Sequence, residues 1–406
     1  MLQPIVIISS WGKGVSFTGV LRHIISSLGN RPIYLLALDQ AGEVQVEGNL
    51  TIIPAWCEGY ELRKAQLIFE AVRRINPAAV FYYYDLFAAQ FHLPALHEIQ
   101  RRRLAPVSIY LPIDGNLCNV QPLRAVTTFE RIVFFTGADR HKFIALNSEF
   151  QTPTEIESLK SRCRVIPHGV NRTHFFKAEG GARIAKQKAF PNYPQLADAP
   201  VVMNGNRPWQ RKRLDLTIAG FSQFFKESAR EVFLYLHLPN AKEEDVKKLE
   251  QQTVELGIRD KVIFREPGWK TIEELNWIDN ACKVGINTAM GEGWGLVSCE
   301  HGAAGAAQIV PGSDQQHDIW NSSAVYAETS RIEKIWACPH LEYQAVNAAS
   351  VARSLHKLFS DDDILRERSR AAKLKMNDPR FDWKVIEKQW TSLFAELTEK
   401  ASNITA

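Results

Sequence analysis

Two stretches of the 406-residue chain concentrate side chains that could do chemistry. The first, GEGWGLVSCE at 291–300, holds Glu292 and Glu300 with seven residues between them, and Gly291, Gly293 and Gly295 crowd the first acid. Alternate glycines let a ligand come close to the backbone N–H groups. A helix starting there adds its unpaired N–H groups and positive dipole end, which suit an anion. The acids do not suit an anion; they suit hydroxyl groups, which donate to a carboxylate. The stretch therefore predicts a ligand that joins phosphate to polyhydroxy parts. Taken alone, it also reads as a glycine-rich turn with two solvated acids.

The second stretch, NGNRPWQRKRLD at 204–215, places Arg207, Arg211, Lys212 and Arg213 at another strand-to-helix junction. The start of a helix repels cations, so their gathering there is easier to explain if an anion binds among them. A unit charge pair about 4 Å apart is worth about 4 kcal/mol at an effective dielectric near 20. Two cations on a diphosphate would hold it and stabilise it as a leaving group. An exposed basic turn is the alternative.

Both stretches must be positioned by regular elements, and the chain supplies them. Short apolar runs alternate with segments of helical period, the pattern of parallel sheets covered by helices. PIVIIS, IYLLAL, AVFYYY, VSIYL and IVFFT are strands of the first half; APVVMN, VFLYLHL, KVIF, KVGIN and QIV are strands of the second. Glycines and prolines without a sustained period mark a linker near 176–200. Domains are expected at 1–178 and 199–383, with a linker at 179–198 and a C-terminal helix at 384–406 packing back on the first domain. In such doubly wound sheets ligands bind beyond the carboxyl ends of the strands.

Composition narrows the function classes. A formal charge of +4 is too small to argue for a nucleic-acid partner. No apolar run is long enough to span a bilayer, and PIVIISS reads as a buried strand rather than a signal peptide. The six cysteines form no CxxC pair, which favours reduced thiols and a cytoplasmic setting. Arg63, Lys64, Arg73 and Arg74 on one helix, with Arg101, Arg102 and Arg103 ending another, read as solvated faces or as a patch for weak peripheral contact with the inner membrane surface.

Arg207, Lys212 and Asp215, spaced five and three apart, followed by Glu292 and Glu300, resemble the pattern of the retaining glycosyltransferases of family 4. IPHGVN (166–171) resembles that family's Ile-Pro-Asn-Gly-Val-Asp turn, and FDWKVIEKQW resembles its C-terminal helix. The resemblance implies an α/β architecture with the GT-B fold, two Rossmann-like doubly wound domains facing across a cleft. It implies a nucleoside-diphosphate sugar donor, a UDP- or GDP-sugar, and a sugar, glycolipid or glycoconjugate acceptor. No cofactor and no metal are expected. By position, Arg207 and Lys212 would grip the diphosphate, Glu300 the ribose hydroxyls and Glu292 the transferred sugar. Backbone groups of Gly293, Trp294, Gly295 and Leu296 would line the site, Arg265 and Gly268 of the FREPG turn would pass near the base, and Asp215 would anchor its loop.

The sequence departs from the family on the acceptor side. The usual histidine is absent; Asp114 in SIYLPIDGN stands near its place, and Asp85 is a second candidate, either being readable as an ordinary loop acid. Gly14 and Gly19 in WGKGVSFTG represent the first-domain glycine loop, and His168 replaces an asparagine as a turn residue. Three rival classes are an oxidoreductase, which lacks its GxGxxG spacing here, a sugar-nucleotide epimerase or hydrolase, and a non-catalytic nucleotide-sugar-binding module.

Overall fold

Runs such as Ile5–Ser9, Ala79–Tyr83 and Val107–Leu111 are buried at every position, as parallel strands covered on both faces must be. The computed structural model describes residues 2–12, 16–57, 61–265, 270–333 and 338–405. It divides into two units: Met1–His168 with Ile335–Leu341 and Trp383–Ala406, and Gly169–Lys334 with Glu342–Asp382.

The first unit contains β1 (Ile5–Ser9), β2 (Ile33–Ala37), β3 (Gln45–Glu47), β4 (Leu50–Pro54), β5 (Ala79–Tyr83), β6 (Val107–Leu111), the two-residue β7 (Asn116–Leu117), β8 (Arg131–Phe134) and β9 (Cys163–Val165). Among the described residues, eight of these form one sheet in the order β3-β4-β2-β1-β5-β6-β8-β9. All pairs are parallel except β3–β4. The hairpin β3–β4 escapes the sequence pattern because β3 is exposed at all its positions and so shows no alternation; its turn uses Gly48 at φ +62°. The helix Trp383–Thr405 belongs to this unit. Its Trp390 stands edge-on to Phe81 and Tyr110, centroids 5.4 and 4.9 Å away, and Glu396 pairs with Arg131 at 2.7 Å.

His168, expected as a turn residue, lies in an irregular segment after β9. It is 3% exposed among Tyr83, Tyr110, Phe135 and Trp383, and burial pushes its pKa down to about 3. Lys64 also departs from the expected basic face. It is buried and holds Glu61 at 2.7 Å, while Arg101 and Arg102 are both tied to Glu98. No helix among the described residues is long and apolar enough to cross a membrane.

The second unit contains β10 (Val201–Asn204), β11 (Phe233–Leu236), β12 (Val262–Phe264), β13 (Val284–Ile286), β14 (Ala307–Pro311) and β15 (Val325–Ala327). Their order, β12-β11-β10-β13-β14-β15, is parallel throughout and is that of a doubly wound nucleotide-binding sheet. The winding reverses between β10 and β13, so the loops leaving these two strands splay apart and open a crevice.

The expected linker at 179–198 is instead part of this unit, and the chain divides at His168 rather than at 178. Gly180 and Gly181, at φ +84° and +74°, start the helix Gly181–Ala189. Ala185, Phe190 and Leu196 then enter a core with Val201, Met203, Phe233, Tyr235 and Ile278. Nine helical residues flanked by glycine and proline are too few to show a period. Phe190 is 5% exposed and meets Tyr235 edge-on at 4.9 Å. Phe190→Ala is therefore expected to cost about 3–5 kcal/mol of stability, read from urea unfolding; a loss near zero returns the segment to a linker.

Candidate functional site

The loops that follow β10 and β13 carry both chemical stretches, and buried polar side chains set their course. Asn204, at the end of β10, donates from Nδ2 to Thr217 Oγ1 at 2.8 Å, and its Oδ1 accepts from the Asn206 backbone and side chain at 3.0 and 2.9 Å. The Thr217 and Thr288 hydroxyls lie 2.7 Å apart, and Thr288 reaches the Arg213 carbonyl at 2.8 Å. A hydroxyl has one proton to give, so donation runs Asn204 to Thr217 to Thr288 to the carbonyl. Asn204, Thr217 and Thr288 are fully buried, where a polar atom without a partner is costly; the chain therefore fixes the loops relative to one another.

Arg213 turns the backbone through φ +47° just before the helix Leu214–Glu227. It is clamped there by Asp215, which accepts from its Nε at 3.0 Å and its Nη2 at 2.9 Å. The Asp215 carbonyl in turn accepts from Gln252 at 2.9 Å. In these contacts Asp215 anchors its loop.

The two stretches are stitched directly. Met290 N donates to the Arg211 carbonyl at 2.9 Å, the Arg211 guanidinium donates to the Gly291 carbonyl, and Lys212 Nζ meets Glu292 Oε2 at 2.5 Å. Asn287 Nδ2 donates to the same Glu292 oxygen at 3.2 Å. Burial alone would raise the Glu292 pKa, but the Lys212 and Arg211 charges and the hydrogen bonds from Lys212 and Asn287 outweigh it and hold this carboxyl below its usual range. Its Oε1 has no partner among the described residues.

Arg207 contrasts with its neighbours. It is half-buried, and its guanidinium has no hydrogen-bond or ion-pair partner among the described residues. Burial, and then the Arg211 charge, lower its pKa. Two guanidinium groups close together with no carboxylate on one of them make a place for an anion.

Gly295, at φ +86°, caps the helix Leu296–Ala304. Behind the glycine loop, the fully buried Gln316 donates from Nε2 to the Trp294 and Glu292 carbonyls at 3.3 and 3.5 Å, and Trp294 packs edge-on to Phe381 at 5.6 Å. Gly293 is buried and Leu296 is the first residue of the helix. A Cβ on Gly295 would lie 3.3 Å from Glu292 Cγ in a left-handed conformation that costs an L-residue about 1–2 kcal/mol. Gly295→Ala is expected to lower stability by that amount and to displace Glu292; thermal unfolding with and without nucleotide measures both. On the helix itself Glu300 is partly exposed and has no hydrogen-bond or ion-pair partner among the described residues. Burial raises its pKa to about 8.

The structure thus brings Arg207, Lys212, Glu292, Gly293, Trp294, Gly295, Leu296 and Glu300 to the loops and helix at one switch point. It also shows polar residues that sequence reasoning missed: Asn204, Thr217, Asn287, Thr288 and Gln316. For Asn204, Asn287 and Thr288 the available signal was polar side chains at the very ends of apolar strands, VVMN and VGINT; Thr217 and Gln316 lie on helices. Arg265 is occupied in part by the Leu238 carbonyl, 3.3 Å from its Nη1. Gly268 and Gly14 lie outside the described residues.

In the first unit, Gly19 lies within the helix Ser16–Ser26 with open space where a side chain would be. Asp85 is exposed and caps the helix Leu86–Arg101, accepting from Phe87 N at 3.1 Å, which gives this acid a structural task. Asp114 is half-buried in the segment after β6.

No family model and no curated protein matches the sequence. Solved structures do match over nearly the whole length. Sucrose-phosphate synthase from Thermosynechococcus elongatus is 16% identical with a TM-score of 0.72, covering 98% of this chain and 100% of that one. HepE of Anabaena, in complex with UDP and glucose, is 14% identical with a TM-score of 0.70, covering 97% and 100%. The α,α-trehalose 6-phosphate synthase of Burkholderia multivorans is 12% identical with a TM-score of 0.73, covering 100% and 99%. The chain has the GT-B fold of two Rossmann-like domains, in agreement with the expectation from its motifs.

Proposed function

We propose that the protein transfers a sugar from a nucleoside-diphosphate sugar to an acceptor hydroxyl with retention of anomeric configuration and without a metal. The observation that carries this reading is the partnerless, half-buried Arg207 beside Arg211 at the switch point. An unmatched cation there has no structural task among the described residues and fits a diphosphate. Lys212 supplies the second charge, and the partnerless Glu300 fits the ribose hydroxyls. The free Oε1 of Glu292 fits a hydroxyl of the transferred sugar, because its other oxygen is held by Lys212 and Asn287. HepE, which shares the fold, has been solved with UDP and glucose.

The work assigned to the chain is positional and electrostatic. As the bond from the anomeric carbon to the diphosphate oxygen breaks, negative charge grows on the diphosphate and Arg207 and Lys212 neutralise it. The acceptor oxygen forms the new bond on the same face and gives its proton to the departing diphosphate. Calorimetric titration with UDP, GDP and ADP tests the donor side. One of them should bind saturably, and Arg207→Ala should abolish that binding. Incubating a sugar nucleotide with and without an acceptor panel tests transfer. Release of diphosphate that is indifferent to every acceptor makes the protein a hydrolase, and failure of all three nucleotides to bind removes the donor site.

A further inference from the structure

The parallel sheet of the second unit has a second concavity, at the end away from the donor loops. Lys283 immediately precedes β13 and Ala306 immediately precedes β14, so these lining residues lie at the amino ends of the strands, whereas the donor loops leave the carboxyl ends. The cavity measures about 450 Å³, within the range of small-molecule sites. Lys177, Lys283, Arg370 and Lys373 line it, and none of the four has a side-chain hydrogen-bond or ion-pair partner among the described residues. The other charges on the rim are paired: Asp362 with Arg230 at 2.7 Å, its carboxylate also feeling the Lys283 charge, and Arg366 with Asp363.

Lys177, Lys283 and Arg370 are exposed and Lys373 is half-exposed, and the stems of Lys177 and Lys373 meet at one point on the rim. Gly305, at φ +100°, ends the helix Leu296–Ala304, and a Cβ built on it would lie 3.4 Å from Lys177 Cδ and 3.9 Å from Lys373 Cδ. Burial and the charges of Lys373 and Lys283 depress the Lys177 pKa, so these like charges lie close enough to repel one another. Favourable placement near the negative end of a helix accounts for a lysine beside Gly305; it does not account for four unmatched cations around one cavity. Asp279, 8% exposed and with no hydrogen-bond or ion-pair partner for its carboxyl among the described residues, also lines it. Burial and the Glu300 charge raise its pKa well above the usual range. A carboxyl that keeps its proton can donate to a phosphate oxygen.

From this convergence of unmatched cations on one cavity, we infer a second ligand site, for a small phosphorylated molecule carrying at least two negative charges. It is separate from the donor loops and independent of the activity proposed for them. The helix Leu296–Ala304 has the glycine loop at its start and this cavity at its end, so the two sites share one rigid element.

Calorimetric titration with inorganic pyrophosphate at fixed ionic strength tests the site, in the wild-type protein and in Arg207→Ala, where the donor loops have lost their unmatched cation. Saturable binding should persist in Arg207→Ala. It should weaken about tenfold to a hundredfold in Lys177→Ala/Lys373→Ala, the range for losing charge-assisted hydrogen bonds. Lys177 is exposed and Lys373 half-exposed, so the double variant should melt as the wild type does, and Lys177→Gln/Lys373→Gln repeats the test with longer side chains. Absence of saturable binding to Arg207→Ala overturns the proposal, and so does undiminished binding to both lysine variants. Neither result bears on nucleotide binding at the donor loops, which is read separately.

Discussion

Lys212→Ala should lower kcat for sugar transfer by about two to three powers of ten, the range for removing one group that meets charge as it develops in the transition state. The side chain is held for that task. Its Nζ lies 2.5 Å from Glu292 Oε2, the side chains being 15% and 11% exposed, so its position does not depend on the ligand arriving. An ammonium has three protons, and one of them engages Glu292. The same pairing complicates the single variant, because removing one partner of a buried pair leaves the other charge uncompensated, at a cost of about 3–5 kcal/mol in unfavourable cases. Arg211 and Asn287 still support Glu292, which places this case below that range. Lys212→Met/Glu292→Gln removes both charges and should recover stability without recovering turnover. Turnover close to wild type in a folded Lys212→Ala protein would remove this residue from the chemistry.

The parts of the fold that the sequence exposes are those where local pattern and tertiary environment agree. Each run named as a strand in the second half appears as β10 to β14, because strands buried on both faces must be apolar throughout. β15 and the hairpin β3–β4 were missed because three residues, or three exposed ones, carry no period. The segment at 179–198 was misread for a related reason. Gly180 and Gly181 start a helix here rather than break one, and the burial of Phe190 and Leu196 is set by strands distant in sequence. At the site, spacing pointed to Arg207, Lys212, Glu292 and Glu300, and the structure places all four on the loops and helix at one switch point. Spacing could not reveal that Lys212 pairs with Glu292 or that Thr217 meets Thr288, because those contacts join residues 80 and 71 apart. The acceptor side was least legible. Asp85, read as a candidate there, caps a helix, a task that any exposed loop acid can perform.

Nucleoside diphosphate binding should tighten as the pH rises towards about 8 and then level off, and Glu300→Gln should remove that slope. In the empty protein burial holds the Glu300 pKa at about 8. Ribose hydroxyls donate to an ionised carboxylate, so binding below that pH must expel a proton, and affinity should rise by up to about tenfold per pH unit. Above it the proton has already gone. The nucleotide's own phosphate titration is common to both proteins and cancels in their difference. Calorimetry in buffers of different ionisation enthalpy counts the proton released. The sign for stability is the reverse. The unfolded chain ionises this carboxyl near 4.5, so between about 4.5 and 8 the folded, empty protein holds more proton than the unfolded one and loses stability as pH rises. Asp279, also buried and raised, adds a similar slope, which Asp279→Asn isolates. At pH near 8 Glu300→Gln should also weaken nucleotide binding about tenfold to a hundredfold. A pH slope that survives unchanged in Glu300→Gln would take the ribose away from this carboxylate.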